Sequence, residues 1–264
     1  MKKYATNARL ISFAYVLYLY LSLSAFILLS LVPKLLNIVL PLNDSRPITM
    51  PYDVYYFVDE EKYYFYIIFH IYVSVNMSLT AAAAHDSTFF IYIEHICSLF
   101  AVVGFHLETL SRKDRNDANN NLSYNRKIVV SIHAHWRALR FAKILEDIFC
   151  TAFAVQMLIV TVTLTITLLQ VVLHYGDIKE TLKYLAFIVA QVIHTFCYSL
   201  QGQRLINHSI QLRDKVYNSS WYEIPAESRK LLLFVMRRSM EPCFLSAGKI
   251  FIFSLKSFTT VNII

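Results

Sequence analysis

The sequence predicts an all-α polytopic membrane protein with long helices that extend from the bilayer into the cytosol. Apolar residues make up 56% of its 264 residues and charged residues only 16%, whereas a typical soluble domain has about 45–50% and about 25%. Long apolar segments alternate with clusters of basic residues. Because the chain has only 4 Gly, 6 Pro and 4 Cys, its composition excludes disordered, collagen-like, Gly-rich nucleotide-binding and disulfide-stapled proteins.

Five apolar segments are predicted to cross the membrane, since a bilayer core of about 30 Å requires about 20 helical residues. The last of them is the weakest candidate because it carries Lys249 and Lys256. Residues 1–264 together are predicted to form a single transmembrane domain. The five segments cover residues 11–32, 63–84, 148–173, 184–203 and 243–264.

A sixth apolar stretch, residues 87–107, is predicted to continue the second span into the cytosol. Its apolar residues recur at steps of three or four on one helix face, and Glu94 interrupts it. If this stretch does not cross, 18 Lys and Arg residues fall on one side of the membrane, as expected for the cytosolic side. The N-terminus and the helical segments 87–147 and 204–241 are therefore predicted to be cytosolic, and the C-terminus to be outside.

The predicted outer loop, residues 33–62, contains the candidate glycosylation site. Asn43 begins an Asn-Asp-Ser sequon there. Four other sequons lie in predicted spans or on the cytosolic side and are expected to stay unmodified. The four Cys residues also lie there, so no disulfide is expected.

No pattern in the sequence indicates catalysis or a cofactor. His133 and His135 lie two residues apart, so they would face different sides of a helix, and no carboxylate or Cys stands at ligand spacing. We therefore expect no metal, no cofactor and no enzymatic activity. The inside-positive topology already explains the basic segments, so nucleic-acid binding is not expected.

Ionisable and aromatic residues inside the predicted spans leave two interpretations open. His70 and His194 either pack as neutral side chains or contribute to a site. Tyr and Phe make up most of the 15% aromatic content. They fit interfacial belts and packing, or alternatively the walls of a pocket for small apolar molecules.

The C-terminal third carries a specific signature. Residues 217–225 read YNSSWYEIP, residues 229–239 read RKLLLFVMRRS, and residues 242–258 read PCFLSAGKIFIFSLKSF. This combination closely resembles the C-terminal signature of insect odorant receptors, particularly those of ants, bees and wasps. Glu94-His95-Ile96 and Glu146-Asp147-Ile148-Phe149 support the resemblance, which extends over essentially the whole chain.

The resemblance implies an odorant-gated, non-selective cation channel subunit in the plasma membrane of olfactory sensory neurons. Receptors of this family assemble as hetero-tetramers with a shared co-receptor subunit. They bind small volatile apolar molecules in the outer half of the bilayer. In the family, the last helix lines the pore and cytosolic helices form the main contact between subunits.

These implications yield three groups of candidate residues. Odorant-binding candidates are Tyr20, Phe26, Ser30, Tyr66, Phe69, His70, Tyr184, Phe187 and Gln191. Pore-lining or subunit-interface candidates are Lys249, Phe253, Lys256 and Thr260. Cytosolic assembly candidates are Trp221, Tyr222, Arg229, Arg237 and Arg238.

The family has seven spans, and the five predicted here correspond to its third to seventh. The chain is therefore expected to be a fragment that lacks the first two spans and the end of the last, and to need extension at both ends before it conducts. A non-conducting truncated product and a gustatory-type chemoreceptor remain alternatives. A G-protein-coupled receptor is disfavoured because its basic loops would lie on the opposite side.

Overall fold

The structure is a computed structural model, and it describes residues 1–39, 55–109, 121–219, 221–224 and 226–263. It confirms the all-α polytopic fold class. Four long helices are followed by a short 3₁₀ turn at Trp221–Glu223 and by smaller elements. In chain order these elements are α1 (Lys2–Val39), α2 (Glu60–Glu108), α3 (Asn121–Leu173), α4 (Ile178–Tyr217), α5 (Ala226–Arg238), β1 (Ser246–Ala247), β2 (Phe251–Ile252) and α6 (Leu255–Ile263).

The four long helices, α1 to α4, are long and apolar enough to cross a membrane. The most apolar window of α3 has only 11% of its residues buried, so its large apolar side chains face outward, as lipid contact requires. Every second residue of α3 from Thr161 to Thr167 is a threonine, and each hydroxyl donates to the carbonyl four residues earlier in α3. The helix therefore satisfies its own polar groups, as a bilayer demands.

Helix α2 runs from Glu60 to Glu108, is kinked at Tyr63 near its start and has no other non-helical residue. It joins the predicted second span to the stretch 87–107 without a break, as a continuation of that span requires. The predicted cytosolic segment 87–147 is not one helix, because α2 ends at Glu108 and α3 begins at Asn121. The sidedness of these segments stays a prediction.

The residues divide into two compact units, and the single transmembrane domain stays a prediction. We call Thr6–Ile91 the N-terminal unit, and Met1–Ala5 with Tyr92–Ile264 the C-terminal unit. The core of the N-terminal unit contains Leu23 and Ile27 of α1 and Ile67 and Ile71 of α2. In the same unit the hydroxyl of Tyr15 donates to the buried carboxylate of Asp86 at 2.5 Å.

The C-terminal segment differs most from the prediction. Residues 243–264 were predicted to form a helical span, but the helix begins only at Leu255 and a β-hairpin precedes it. Gly248 and Lys249 both have a φ of 61°, and Ile250 N–H donates to Ala247 C=O at 3.1 Å. Two consecutive positive φ angles are typical of a type I′ turn, which reverses the chain and cannot continue a right-handed helix.

Both α3 and α4 hold this hairpin. From α3, the carbonyl of Cys150 accepts from Gly248 N–H at 3.0 Å, and the carboxylate of Glu146 accepts from the Ser246 hydroxyl at 3.1 Å. From α4, the Ser209 hydroxyl accepts from Cys243 N–H at 3.1 Å. These bonds replace the helical hydrogen bonds that the prediction assumed.

Candidate functional site

In the N-terminal unit, two predicted odorant-binding residues take part in polar contacts between side chains. Tyr20 of α1 lies 2.8 Å from the hydroxyl of Thr80 in α2. Since Thr80 gives its own proton to Asn76 C=O at 2.7 Å, Tyr20 is the donor of this bond. His70 Nδ1 lies 2.9 Å from the hydroxyl of Tyr56.

The remaining candidates of this unit divide between core and surface. Phe26 packs against the core of the unit. Tyr66 and Phe69 are 75% and 68% exposed, so they line a free face of α2 and not its core. Ser30 lies within α1, but its side chain is outside the described structure.

In the C-terminal unit, Gln191 makes the corresponding contact between α4 and α3. Its side-chain amide donates to the Thr163 hydroxyl at 2.9 Å, and that hydroxyl donates in turn to Ile159 C=O at 2.9 Å. The carbonyl oxygen of Gln191 is buried and has no hydrogen-bond partner among the described residues. It is a free acceptor in an apolar environment, and an unsatisfied group of this kind costs about 1–3 kcal/mol.

The two other candidates of α4 are Tyr184, which is partly exposed, and Phe187. The ring centroid of Tyr184 lies 5.6 Å from that of His174. The ammonium group of Lys183 lies 5.1 Å from the same Tyr184 centroid. Phe187 is half exposed.

A small cleft lies between α3, α4 and Phe253, and of its lining residues the sequence had singled out only His194 and Phe253. Its cavity volume is about 10 Å³, which is enough for about one water molecule and far below the roughly 300–1,000 Å³ of a typical ligand pocket. Its polar groups are Gln156 and His194, whose side-chain nitrogens lie 3.5 Å apart, and Thr195. Its other lining residues are Met157, Val160, Tyr198 and Phe253.

The C-terminal candidates do not share one environment. Phe253 is 2% exposed and packs on Phe153 and Tyr198 of the same chain, so it is not available to line a pore or a subunit interface. Lys249 is exposed at the hairpin turn. Lys256 and Thr260 are exposed and lie one turn apart on α6. Of the four pore or interface candidates, only these two share an exposed helix face.

The assembly candidates lie around the 3₁₀ turn and on α5. Tyr222 is 63% exposed, whereas Trp221 is only partly exposed and its ring lies 6.4 Å from that of Tyr222. The side-chain Nε of Arg229 is buried without a hydrogen-bond partner in the described part of the chain. Arg237 and Arg238 are exposed at the end of α5.

Sequence reasoning missed the partners of the polar candidates, which are Tyr56, Thr80 and Thr163. A threonine in an apolar helix usually bonds to its own backbone, so it carries no sign that its oxygen also accepts from a neighbouring helix. Asn43 lies outside the described residues. Within the described ranges, no group of three or more His, Cys, Asp or Glu side chains is arranged to hold a metal ion.

Comparison with known proteins decides the family. The sequence model of the 7tm odorant receptor family matches residues 2–263. The chain belongs to the insect odorant receptor family. This assignment favours an odorant receptor over the gustatory and G-protein-coupled alternatives, and the family is a receptor family and not a class of enzymes.

Individual members of the odorant receptor family are distant from this chain. It is 21% identical to odorant receptor 9a of Drosophila melanogaster, over 83% of this chain and 54% of that receptor. It is 26% identical to the odorant receptor coreceptor of Anopheles gambiae, over 59% of this chain and 34% of the co-receptor. The chain thus spans about half the length of odorant receptor 9a.

Solved odorant receptors share the fold. The olfactory receptor OR5 of Machilis hrabei in complex with eugenol matches with a TM-score of 0.68 and 15% identity, over 100% of this chain and 68% of that one. The structure of the same receptor described without a ligand matches with a TM-score of 0.67. At this identity the likeness shows the fold alone.

Proposed function

We propose that this chain is a subunit of an odorant-gated, non-selective cation channel that assembles with the shared co-receptor in the plasma membrane of olfactory sensory neurons. The observation that carries the proposal is the family match over residues 2–263. Similarity to co-receptors of several insects supports assembly with a co-receptor subunit. A hetero-tetramer is the assembly that we expect.

The ligand that we propose is a small, mostly apolar molecule with a hydroxyl group. The aromatic candidates Tyr184 and Phe187, which lie on α4 as Gln191 does, provide apolar contact area, which dominates the binding of volatile molecules. Gln191 provides a buried acceptor with no partner among the described residues. A ligand hydroxyl would satisfy that acceptor, and a matched hydrocarbon would not.

We expect the ligand to open the channel by shifting the population from the closed to the open arrangement. A ligand opens a channel only to the extent that it binds the open arrangement more tightly than the closed one. Gln191 lies on α4, which also contacts the C-terminal hairpin through Ser209. The exposed residues Lys256 and Thr260 are the candidates on α6 that remain for the pore or for a subunit interface.

Binding is tested on the purified 264-residue chain in lipid nanodiscs, with a panel of alcohols and phenols that includes eugenol and with their hydroxyl-free analogues. We expect Gln191→Leu, which keeps the side-chain size, to weaken binding of the hydroxylated ligands about tenfold and to leave the analogues unaffected. Ala substitution of the other eight candidates should change selectivity. An unchanged ligand profile in all nine variants would contradict the list of candidates.

Gating is tested by voltage clamp in oocytes that express a co-receptor together with a full-length receptor containing this chain. The proposal predicts an odorant-specific cation current that oocytes with the co-receptor alone do not give. A receptor that reaches the surface, binds ligand and gives no such current would refute the channel function but not ligand binding.

A further inference from the structure

The backbone of α4 lies directly against the backbone of Phe253, and the contact point is Gly202. A Cβ atom placed on Gly202 would lie 2.7 Å from the Cβ of Phe253 and 2.9 Å from its carbonyl carbon. It would lie closer still to the Phe253 carbonyl oxygen. Real Cβ atoms essentially never approach within 3.0 Å, so only glycine allows this separation.

Phe253 has no room to retreat from an added Cβ. Its ring is 2% exposed and lies 5.1 Å from the ring of Phe153 and 5.9 Å from that of Tyr198. Its backbone N–H donates to Leu245 C=O at 3.0 Å. Close-packed interiors resist such displacement, so moving Phe253 would disturb both the aromatic packing and the hairpin.

The residue after Gly202 continues the contact into α6. The side-chain carbonyl oxygen of Gln203 accepts from the backbone N–H of Leu255, the first residue of α6, at 3.2 Å. The hydroxyl of Ser254 accepts from Ser257 N–H at 3.0 Å, which is an N-cap bond. One side chain of α4 therefore satisfies an amide that the first turn of α6 cannot satisfy itself.

We propose that Gly202 is the positioning residue that fixes the start of α6 on α4, so that the two helices move as one body. Gln191 lies eleven residues before Gly202, about 17 Å along the same helix at 1.5 Å per residue. A displacement of α4 at the level of Gln191 is transmitted to α6 through the contact between Gly202 and Phe253. That consequence rests on the proposed function, whereas the positioning role does not.

Hydrogen–deuterium exchange on the purified chain in nanodiscs, without ligand, tests the positioning role. Gly202→Ala should accelerate exchange of the Leu255, Ser257 and Phe258 amides about tenfold, because the first turn of α6 loses its packing contact with α4. Exchange in α3 and in the rest of α4 should stay within about twofold. Because hydrogen exchange does not depend on ion conduction, this experiment tests the positioning role even if the chain does not conduct.

Two other glycines provide matched controls. A Cβ on Gly104 of α2 would meet only the flexible side chain of Lys215 at 2.6 Å and Leu212 at 3.5 Å, and one on Gly176 would meet nothing within 4 Å. Gly104→Ala and Gly176→Ala should therefore leave exchange in α6 unchanged. Unchanged exchange in Gly202→Ala as well, or equal acceleration throughout α3, α4 and α6, would overturn the proposal.

A second pair of variants covers the case in which Gly202→Ala does not fold. Gln203→Leu removes the acceptor for Leu255 N–H without adding a clash, and Gln203→Glu keeps an oxygen at that position. We expect faster exchange at Leu255 in the first variant and near wild-type exchange in the second. The same exchange rate in both would show that α4 does not position α6 through this bond.

Discussion

Glu94 of α2 and Arg204 of α4 form an ion pair in which the carboxylate Oε1 and the guanidinium Nη2 lie 2.5 Å apart. The Glu94 side chain is 1% exposed and that of Arg204 is 25% exposed. Neither carboxylate oxygen has a well-aligned hydrogen bond among the described residues. The charge of Arg204 is therefore the main compensation for burying the carboxylate.

We expect Arg204→Ala to destabilise the chain by about 3 kcal/mol, because it leaves a buried charge without its partner. Denaturant unfolding in mild detergent measures the loss. Arg213→Ala is the control, since Arg213 pairs with Asp214 at an exposed position and should cost less than about 1 kcal/mol.

A double variant separates the pair from simple loss of packing. Glu94→Leu combined with Arg204→Met removes both charges and keeps apolar volume, so it should recover most of the lost stability. If the double variant were as unstable as Arg204→Ala, burial of an unpaired carboxylate would not be the cause.

The same substitution should change the stability of the chain in opposite directions in the hairpin turn and within a helix. Lys249 has a φ of 61°, a conformation that costs most residues about 1–2 kcal/mol but that Asn adopts readily. Lys249→Asn should therefore stabilise the chain by up to about 1 kcal/mol, and Lys249→Val should destabilise it. Both are measured in the same unfolding assay.

Lys256 is the matched control, because it is an exposed lysine within α6. Lys256→Asn should be neutral or slightly destabilising, since Asn is the poorer helix former. An equal gain at both positions would contradict the role of the positive φ.

The topology prediction concerns glycosylation of the chain on translocation-competent microsomes. We expect a glycan on Asn43 and none on Asn121 or Asn218, because the basic residues should hold the latter two in the cytosol. The shift in gel mobility should vanish in Asn43→Gln. Modification of Asn121 or Asn218 with Asn43 unmodified would invert the topology.

Assembly is best probed at Tyr222. Its 63% exposure means that truncation should cost the isolated chain little, whereas a buried anchor at an interface is worth about 2 kcal/mol or more. Tyr222→Ala should weaken binding to the co-receptor about thirtyfold, measured by co-purification at unchanged expression.

Tyr217, at the end of α4, is 65% exposed and serves as the control for Tyr222. Tyr217→Ala should leave co-purification intact. Trp221→Ala is less informative because that side chain is partly packed within its own chain. Equal loss of binding in the Tyr217 and Tyr222 variants would argue against a specific contact.

Helical parts of the fold were predictable because apolar length and periodicity are local properties of the sequence. The continuity of α2 through Glu94 followed from one apolar stripe. The hairpin was not predictable, since its bonds reach back to residues such as Cys150 and Ser209, about 100 and 34 positions earlier. Gly248-Lys249 carries the turn, but in an apolar run the pair gives no sign that both residues have positive φ.

The candidate site was predictable in part for a similar reason. Tyr20 and Gln191 stood out as polar groups in apolar segments. Their acceptors Thr80 and Thr163 did not, because their second role depends on the packing of a neighbouring helix. Phe253 was assigned to a pore surface because the resemblance implies that the last helix lines the pore, whereas in the structure Phe253 lies between β2 and the first residue of α6.

The hairpin also sets an order of events during synthesis. Its partners Glu146, Cys150 and Ser209 all precede it, so the ribosome completes them before Cys243 emerges. The residues that bind the hairpin are thus already synthesised when α6 leaves the exit tunnel, so the hairpin and α6 can dock on helices that precede them in the chain.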